Sequence, residues 1–188
     1  MNKFIVIMGV DGSGKSTIIT ELKDKIKVSY SFHFCPTNKY NKIGVINNSP
    51  HSKKPHSISI SIIKIIYLFI HFFLGYLINI IKFKRKGHII GDRYFYDVII
   101  DLTRYRIHNK LNLSFIQYFI PKPDLLIFID CSPKIILSRK KELTFDEIVR
   151  QRCELTNLTK KLNGHIIMNE SKINLVINEI IKLIHVDE

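Results

Sequence analysis

Residues 9 to 17 read Gly9-Val10-Asp11-Gly12-Ser13-Gly14-Lys15-Ser16-Thr17, a run that satisfies GxxxxGK followed by Ser or Thr. Small residues and one cation at this spacing suit an anion built of several phosphates. The glycines let backbone N–H groups turn inward around phosphate oxygens, and a helix starting at the lysine adds the positive end of its dipole. Lys15 can then meet the outer phosphates as a point charge, and the Ser16 hydroxyl can hold Mg²⁺. The residues read as nucleotide-binding are Gly9, Asp11, Gly12, Ser13, Gly14, Lys15, Ser16 and Thr17.

A second group, Gly91-Asp92-Arg93-Tyr94, follows a short strand-like run. A carboxylate at the carboxyl end of a strand beside the loop's own strand points into the crevice where open α/β sheets bind ligands. Asp92 can serve a metal or an acceptor there, and Arg93 can bridge phosphates as charge moves between them. Farther on, Arg139, Lys140, Lys141, Arg150 and Arg152 crowd one segment. Phosphoryl transfer is mostly positioning and charge stabilisation, so basic side chains over the phosphates are what it needs. On an amphipathic helix such residues more often face solvent. The catalytic set read from the sequence is Lys15, Asp92, Arg93, Arg139 and Arg150, with Ser16 and Asp92 as metal ligands.

Positioning these groups takes strands that end where the chemistry begins. Phe4 to Met8 is an apolar run closed by Gly9, the pattern of a strand buried on both faces. Lys15 to Lys27 carries Ile18, Ile19, Leu22 and Ile26 at helical spacing, and Val28 to Phe34 is a second strand stopped by Pro36. Residues 37–57 are rich in Asn, Ser, Lys and Pro and read as a mobile loop. His88 to Gly91, Asp124 to Ile129 and His165 to Met168 supply three more strands. Ser132-Pro133 reads as a helix cap with proline at the first position, and Thr144 with Glu147 as a capping box opening a helix to Leu162. Ile173 to Ile184 is a closing amphipathic helix. Strands alternating with helices predict an α/β fold, one domain over residues 1–188 whose parallel sheet is covered on both faces.

The 188 residues hold 29 Lys and Arg against 16 Asp and Glu, a net charge of +13, with 46% hydrophobic residues. That is enough apolar material for a core and excludes a disordered chain. The charge asks for an anionic partner, and nucleic acid, an anionic membrane and phosphorylated small molecules all satisfy it. The chain shows neither a basic strand face with interleaved aromatics nor a recognition-helix pattern, so no specific nucleic acid is expected. Cys35, Cys131 and Cys153 form no CxxC pair and no metal-ligand spacing. With an amino terminus that runs straight into the glycine loop, they place the protein in a reducing cytoplasm.

The loop GVDGSGKST, the triplet Asp92-Arg93-Tyr94, the run Pro123-Asp124-Leu125-Leu126-Ile127-Phe128-Ile129-Asp130 and the basic segment after it resemble, in that order, thymidylate kinases over about Lys3 to Ile184. The resemblance implies a P-loop NTPase fold with the five-stranded parallel sheet of nucleoside monophosphate kinases. It implies MgATP (ATP with Mg2+) as donor and transfer of its γ-phosphoryl group to a nucleoside monophosphate. It also implies that Asp11 contacts the acceptor sugar 3′-hydroxyl, that Lys15 and Ser16 hold donor phosphates and Mg²⁺, and that Asp92 and Arg93 sit between the two nucleotides. Residues about 138–152 take the place of the family's lid.

The acceptor side departs from the family pattern. An Arg expected beside the proline after the second strand is replaced by Phe34-Cys35-Pro36, and a second expected Arg falls on Phe72. The thymine-reading Tyr-Gln pair falls on Asp101-Leu102, and a Glu before the first glycine on Met8. In their place stand Tyr94 or Tyr96, able to stack on a ring, and Arg104 or Arg106, able to bind a phosphate through two N–H groups. Equally, these residues only anchor their helix. The expected acceptor is dTMP, with a sugar, nucleoside or lipid-linked acceptor as the alternative.

Ile58 to Arg85 predicts one extended helix, and Ile65 to Ile81 within it carries no formal charge. That approaches the roughly 20 residues of a membrane span, with Lys82, Lys84, Arg85 and Lys86 as flanking cations. A crossing would put the glycine loop and Asp92 on opposite sides of the bilayer. The helix is therefore read as buried or dimer-forming, with membrane-surface contact through the basic cluster left open; the resemblance implies the long helix before Asp-Arg-Tyr that packs on the sheet and on the partner subunit of a homodimer.

Overall fold

The glycine loop needs a strand to launch it, and Phe4–Met8 (β1) suits the centre of a sheet because all five residues are apolar and buried. The computed structural model describes residues 1–36, 54–140 and 142–186, so most of the loop expected at 37–57, and Lys141, lie outside the described residues. After β1 come α1 (Lys15–Lys25), β2 (Val28–His33) and a long helix α2 (Ile58–Gly75, continued by a π turn Tyr76–Ile80 and by Ile81–Lys84). The chain goes on through β3 (His88–Asp92), α3 (Phe95–Ile100), β4 (Leu125–Asp130), α4 (Pro133–Arg139), α5 (Phe145–Lys161), β5 (His165–Met168) and α6 (Ile173–His185). A 3-10 turn at Ile116–Tyr118, which the hydrophobic pattern does not announce, breaks the link from α3 to β4.

The five expected strands form one parallel sheet in the order β2-β3-β1-β4-β5. Ile7 of β1 lies opposite Asp92 of β3 and Ile127 of β4. The glycine loop, Asp92 and Asp130 therefore all emerge at the carboxyl edge, where this class of sheet builds its sites. Alternation along β1 divides the core in two. Phe4, Val6 and Met8 share one cluster with Phe32, Leu68, Phe72, Tyr94 and Phe128, while Ile5 and Ile7 share another with Ile18, Leu22, Ile177 and Ile180.

Helix starts differ in how they are capped. Thr144 Oγ1 accepts the Glu147 N–H at 3.3 Å, as the capping pattern predicts. Ser132 occupies the cap position of α4 without a side-chain cap bond, and its own N–H donates to Glu170 Oε1 at 2.6 Å.

The helix α2 connects β2 to β3, which are neighbours in the sheet. It buries Ser61, Ile65, Leu68, Phe72 and Gly75 in a stripe of alternating four- and three-residue steps. The next step would bring Asn79 inward, but the π turn adds a residue to the register and Ile80 takes the buried place. Asn79 Nδ2 instead donates to Pro36 O at 2.7 Å. By length and composition α2 passes for a membrane-crossing helix, yet its inner stripe belongs to the sheet's own core. The basic cluster after it is partly paired: Lys84 Nζ lies 2.6 Å from Asp124 Oδ2, and Lys82 and Lys86 stand over the Phe83 ring.

Phe72 packs edge-on against Phe34, Tyr94 and Phe95, with ring centroids 5.1 Å, 5.3 Å and 5.3 Å away. Phe72→Ala should lower the unfolding free energy by about 3–5 kcal/mol, read as a lower urea midpoint at unchanged slope.

Candidate active site

The turn from β1 into α1 works only with residues that have no side chain at two points. A Cβ on Gly9 would meet the Ile129 carbonyl oxygen at 2.6 Å and Ser13 Oγ at 2.7 Å. Gly14 has φ +92° at the cap of α1, a left-handed backbone that any side chain would strain. The loop is closed by Ser13 N–H donating to Val10 O at 3.1 Å. Asn169, just beyond β5, braces it from outside through Nδ2 to Ser13 O at 2.7 Å. Lys15 is buried, its Nζ donating to the carbonyls of Gly9 at 2.6 Å and Val10 at 2.8 Å. Ser16 and Thr17 open the first turn of α1 and are exposed.

This loop fits a nucleotide's phosphates. Ser13 Oγ is buried without a hydrogen-bond partner, so a polar group is held ready inside the loop. A backbone this tightly turned, followed by a helix amino terminus and a buried lysine, offers N–H groups and one cation to an anion.

Asp11 collects the cations. Its Oδ1 pairs with Arg93 Nη2, its Oδ2 accepts Arg104 Nη1 at 2.6 Å, and Lys15 and Lys140 lie 3.9 Å and 4.0 Å away. Burial opposes its ionisation, but Arg93, Lys15 and Arg104 outweigh burial and hold the carboxyl well below the usual range. Arg93 is itself fixed by Asp97 Oδ2, which accepts from Nη1 at 2.8 Å and from the Tyr105 hydroxyl at 2.7 Å. Its backbone N–H donates to Ile7 O at 3.0 Å. These bonds keep Arg93 in the left-handed region at φ 70°.

Asp92 Oδ2 makes a 2.9 Å contact with His33 Nδ1, while Oδ1 is buried without a partner. Burial would raise its pKa, and the His33 hydrogen bond and charge, with Lys15 and Arg93, bring it below the ordinary value. With the Ser16 hydroxyl, this free carboxylate oxygen is suited to a hard divalent cation.

Of the basic segment, Arg139 and Lys140 reach the loop, Lys140 through Asp11 and Arg139 through the Gly12 carbonyl. Arg139 Nη1 lies 3.5 Å from Gly12 O and 4.0 Å from Cys131 Sγ. Arg150 is engaged along its own helix by Glu147 and Glu154 and donates to Ile100 O at 3.1 Å. Arg152 forks onto Asp130 through Nε at 2.6 Å and Nη2 at 2.7 Å. Tyr94 and Tyr96 are core residues rather than ring platforms. Both are fully buried, and the Tyr94 hydroxyl donates to Pro121 O at 3.0 Å. Arg106 turns away, its Nε donating to Lys54 O at 3.2 Å. Sequence reasoning missed Asp97, Asn169 and the turn that selects Arg104; an Asp four residues after Arg93 was the one available signal.

Burial and then Arg93 pull Lys15 down to about 8, against the upward influence of Asp11, Asp92 and Asp97. The charged form therefore dominates below that pH and is lost above it. Affinity for a nucleoside triphosphate should fall between pH 7 and pH 9, by up to about tenfold per unit above the lysine's pKa. Isothermal titration checks this, and Lys15→Met should bind weakly with no such slope.

Residues 7–186 match the family model described as thymidylate kinase. A probable thymidylate kinase of Methanococcus vannielii is 32% identical over 161 residues, covering 81% of this chain and 74% of that protein. Probable thymidylate kinase 1 of Saccharolobus solfataricus is 24% identical over 197 residues, covering 98% and 97%. Among solved structures, the thymidylate kinase of Candida albicans superposes with a TM-score of 0.69 at 21% identity, over 99% of this chain and 92% of that one. The deoxyadenosine kinase of M. mycoides follows with a TM-score of 0.60 at 16% identity, over 97% and 98%; both show the shared fold. The match runs from the end of the central strand through the closing helix, and the chain belongs to the thymidylate kinase family, as a nucleoside monophosphate kinase.

Proposed function

We propose that the enzyme transfers the γ-phosphoryl group of MgATP to dTMP. The observation that carries this reading is the junction at Asp11: Arg93 pairs with it from the end of β3, Lys15 from the start of α1, and Asp97 fixes Arg93 from behind. In such a site the nucleotide and its metal ion bring the transferable group and a divalent charge. The backbone N–H groups of the loop and Lys15 hold donor phosphates, while the Ser16 hydroxyl and Asp92 hold Mg²⁺. Asp11 orients the acceptor sugar, and Arg93 faces the oxygens that gain charge in transfer. Arg139 and Lys140 are the lid cations already against the loop. Arg150 takes part only by giving up Glu147 and Glu154. The family match favours a nucleotide acceptor over a sugar, nucleoside or lipid-linked one.

The exposed side of α2 supports a homodimer. Ile63, Tyr67, Ile70, Leu74 and Leu77 are exposed and repeat at steps of four and three, the spacing of a seam that interlocks with a second helix. A second copy presenting the same seam would cover both. The enzyme would work in a reducing cytoplasm, where Cys35, Cys131 and Cys153 stay free thiols.

ADP release measured with a panel of nucleoside monophosphates should show turnover with dTMP foremost; absence of turnover with all of them, from folded protein that binds ATP, overturns the proposal. Lys15→Ala should abolish turnover, and Arg93→Ala should lower kcat by roughly 10²–10³ with ATP affinity little changed. Ile70→Glu combined with Leu77→Glu should convert a sedimenting dimer to monomer.

A further inference from the structure

Among the described residues, four cations surround Asp11, and three have duties that hold them in place. Lys15 is tied to two loop carbonyls, Arg93 is clamped between Asp97 and Asp11 with 8% of its side chain exposed, and Lys140 pairs with Glu142 at 3.1 Å. Arg104 differs. Its side chain is 21% exposed, and among the described residues its ion pair is to Asp11 alone. Cys35, two residues past β2, and Phe72 on α2, where the family resemblance leads one to expect acceptor arginines, are fully buried and carry no cation.

The backbone under Arg104 is built with care. Its N–H donates to Asp101 Oδ1 at 3.0 Å, and the second oxygen of the buried Asp101 accepts Gln151 Nε2 of α5 at 3.2 Å. The next residue, Tyr105, stacks on Phe34 with centroids 4.8 Å apart and bonds Asp97. Ile107 N–H closes the turn onto Leu102 O at 2.9 Å. These bonds fix the turn from which the Arg104 guanidinium meets the loop carboxylate, while that of Arg106 meets Lys54 O.

Resting on the nucleotide-kinase reading above, we propose that Arg104 is a specificity-determining residue that binds the 5′-phosphate of the acceptor. Asp11 is its partner until a phosphate dianion arrives, and the planar fork then takes two phosphate oxygens. The site thereby selects acceptors that already carry a monophosphate over unphosphorylated nucleosides.

Isothermal titration of dTMP into wild type, Arg104→Ala, Arg104→Lys, Asp11→Asn and the Asp11→Asn/Arg104→Ala double variant tests the assignment without requiring turnover. Thermal melts by circular dichroism confirm that each is folded. Arg104→Ala should weaken dTMP binding by about thirtyfold, from the loss of charge-assisted hydrogen bonds. MgATP affinity should stay within about twofold, and Arg104→Lys should recover part of the dTMP loss. The penalty should persist in the Asp11→Asn background, because the lost contact is to the phosphate. A dTMP affinity unchanged by Arg104→Ala, a parallel loss for MgATP, or a penalty that vanishes with Asp11→Asn overturns the proposal. Wild-type protein that binds no monophosphate overturns the kinase reading itself, and the proposal with it.

Discussion

Taking the Asp11 carboxylate out of water costs several kcal/mol unless cations and hydrogen bonds replace the solvent. Arg93, Arg104, Lys15 and Lys140 do so, and they arrive from the end of β3, the turn after α3, the first turn of α1 and the residue after α4. One enclosed anion thus fixes the relative placement of segments far apart in sequence. It also keeps several positive charges within reach of a phosphate without leaving them to repel one another unopposed. The left-handed Arg93 fits this picture, since a strained backbone of about 1–3 kcal/mol persists only where surrounding bonds over-determine it.

The two halves of the site are made of different material. Around the glycine loop, the frame comes from backbone, a glycine-rich turn, a helix amino terminus and a strand edge, with Lys15 and Asp92 set into it. Beside Arg93, Phe34, Phe72 and Tyr105 form an aromatic wall, behind which Asp97 accepts from both Arg93 and the Tyr105 hydroxyl. Phe34 meets Phe72 edge-on and Tyr105 face to face, so its ring is fixed from two directions in a close-packed interior.

The strands, the glycine loop and the Asp92-Arg93 pair were legible in the sequence because they rest on local rules, namely apolar runs of strand length and glycines at fixed offsets. The π turn, the 3-10 turn and the partners of the cations were not. Periodicity places Arg150 and Arg152 on α5 but does not say what lies opposite; Arg152 meets Asp130 only because the α5 face carrying Ile148 and Leu155 packs toward β4. Choosing Arg104 over Arg106 depends on the Asp101 hydrogen bond and on a left-handed residue at 106. Both are products of tertiary packing. The caps illustrate the same limit: Ser132 and Pro133 open α4 and Thr144 opens α5 as their sequence pattern indicates, but only Thr144 makes the side-chain bond, and the acceptance of the Ser132 N–H by Glu170 is a tertiary contact.

With Tyr76–Ile80 wound as a π turn, α2 contains one residue more than its buried stripe requires. Rewinding this turn to ordinary α spacing with every residue kept would set Asn79 against the sheet in place of Ile80 and rotate Ile81–Lys84 by about 100°. Lys84 would leave Asp124, and Asn79 would leave Pro36. The turn therefore takes up one surplus residue without disturbing the contacts on either side of it, although nothing in the nearly uniform apolar composition of α2 marks where the surplus lies.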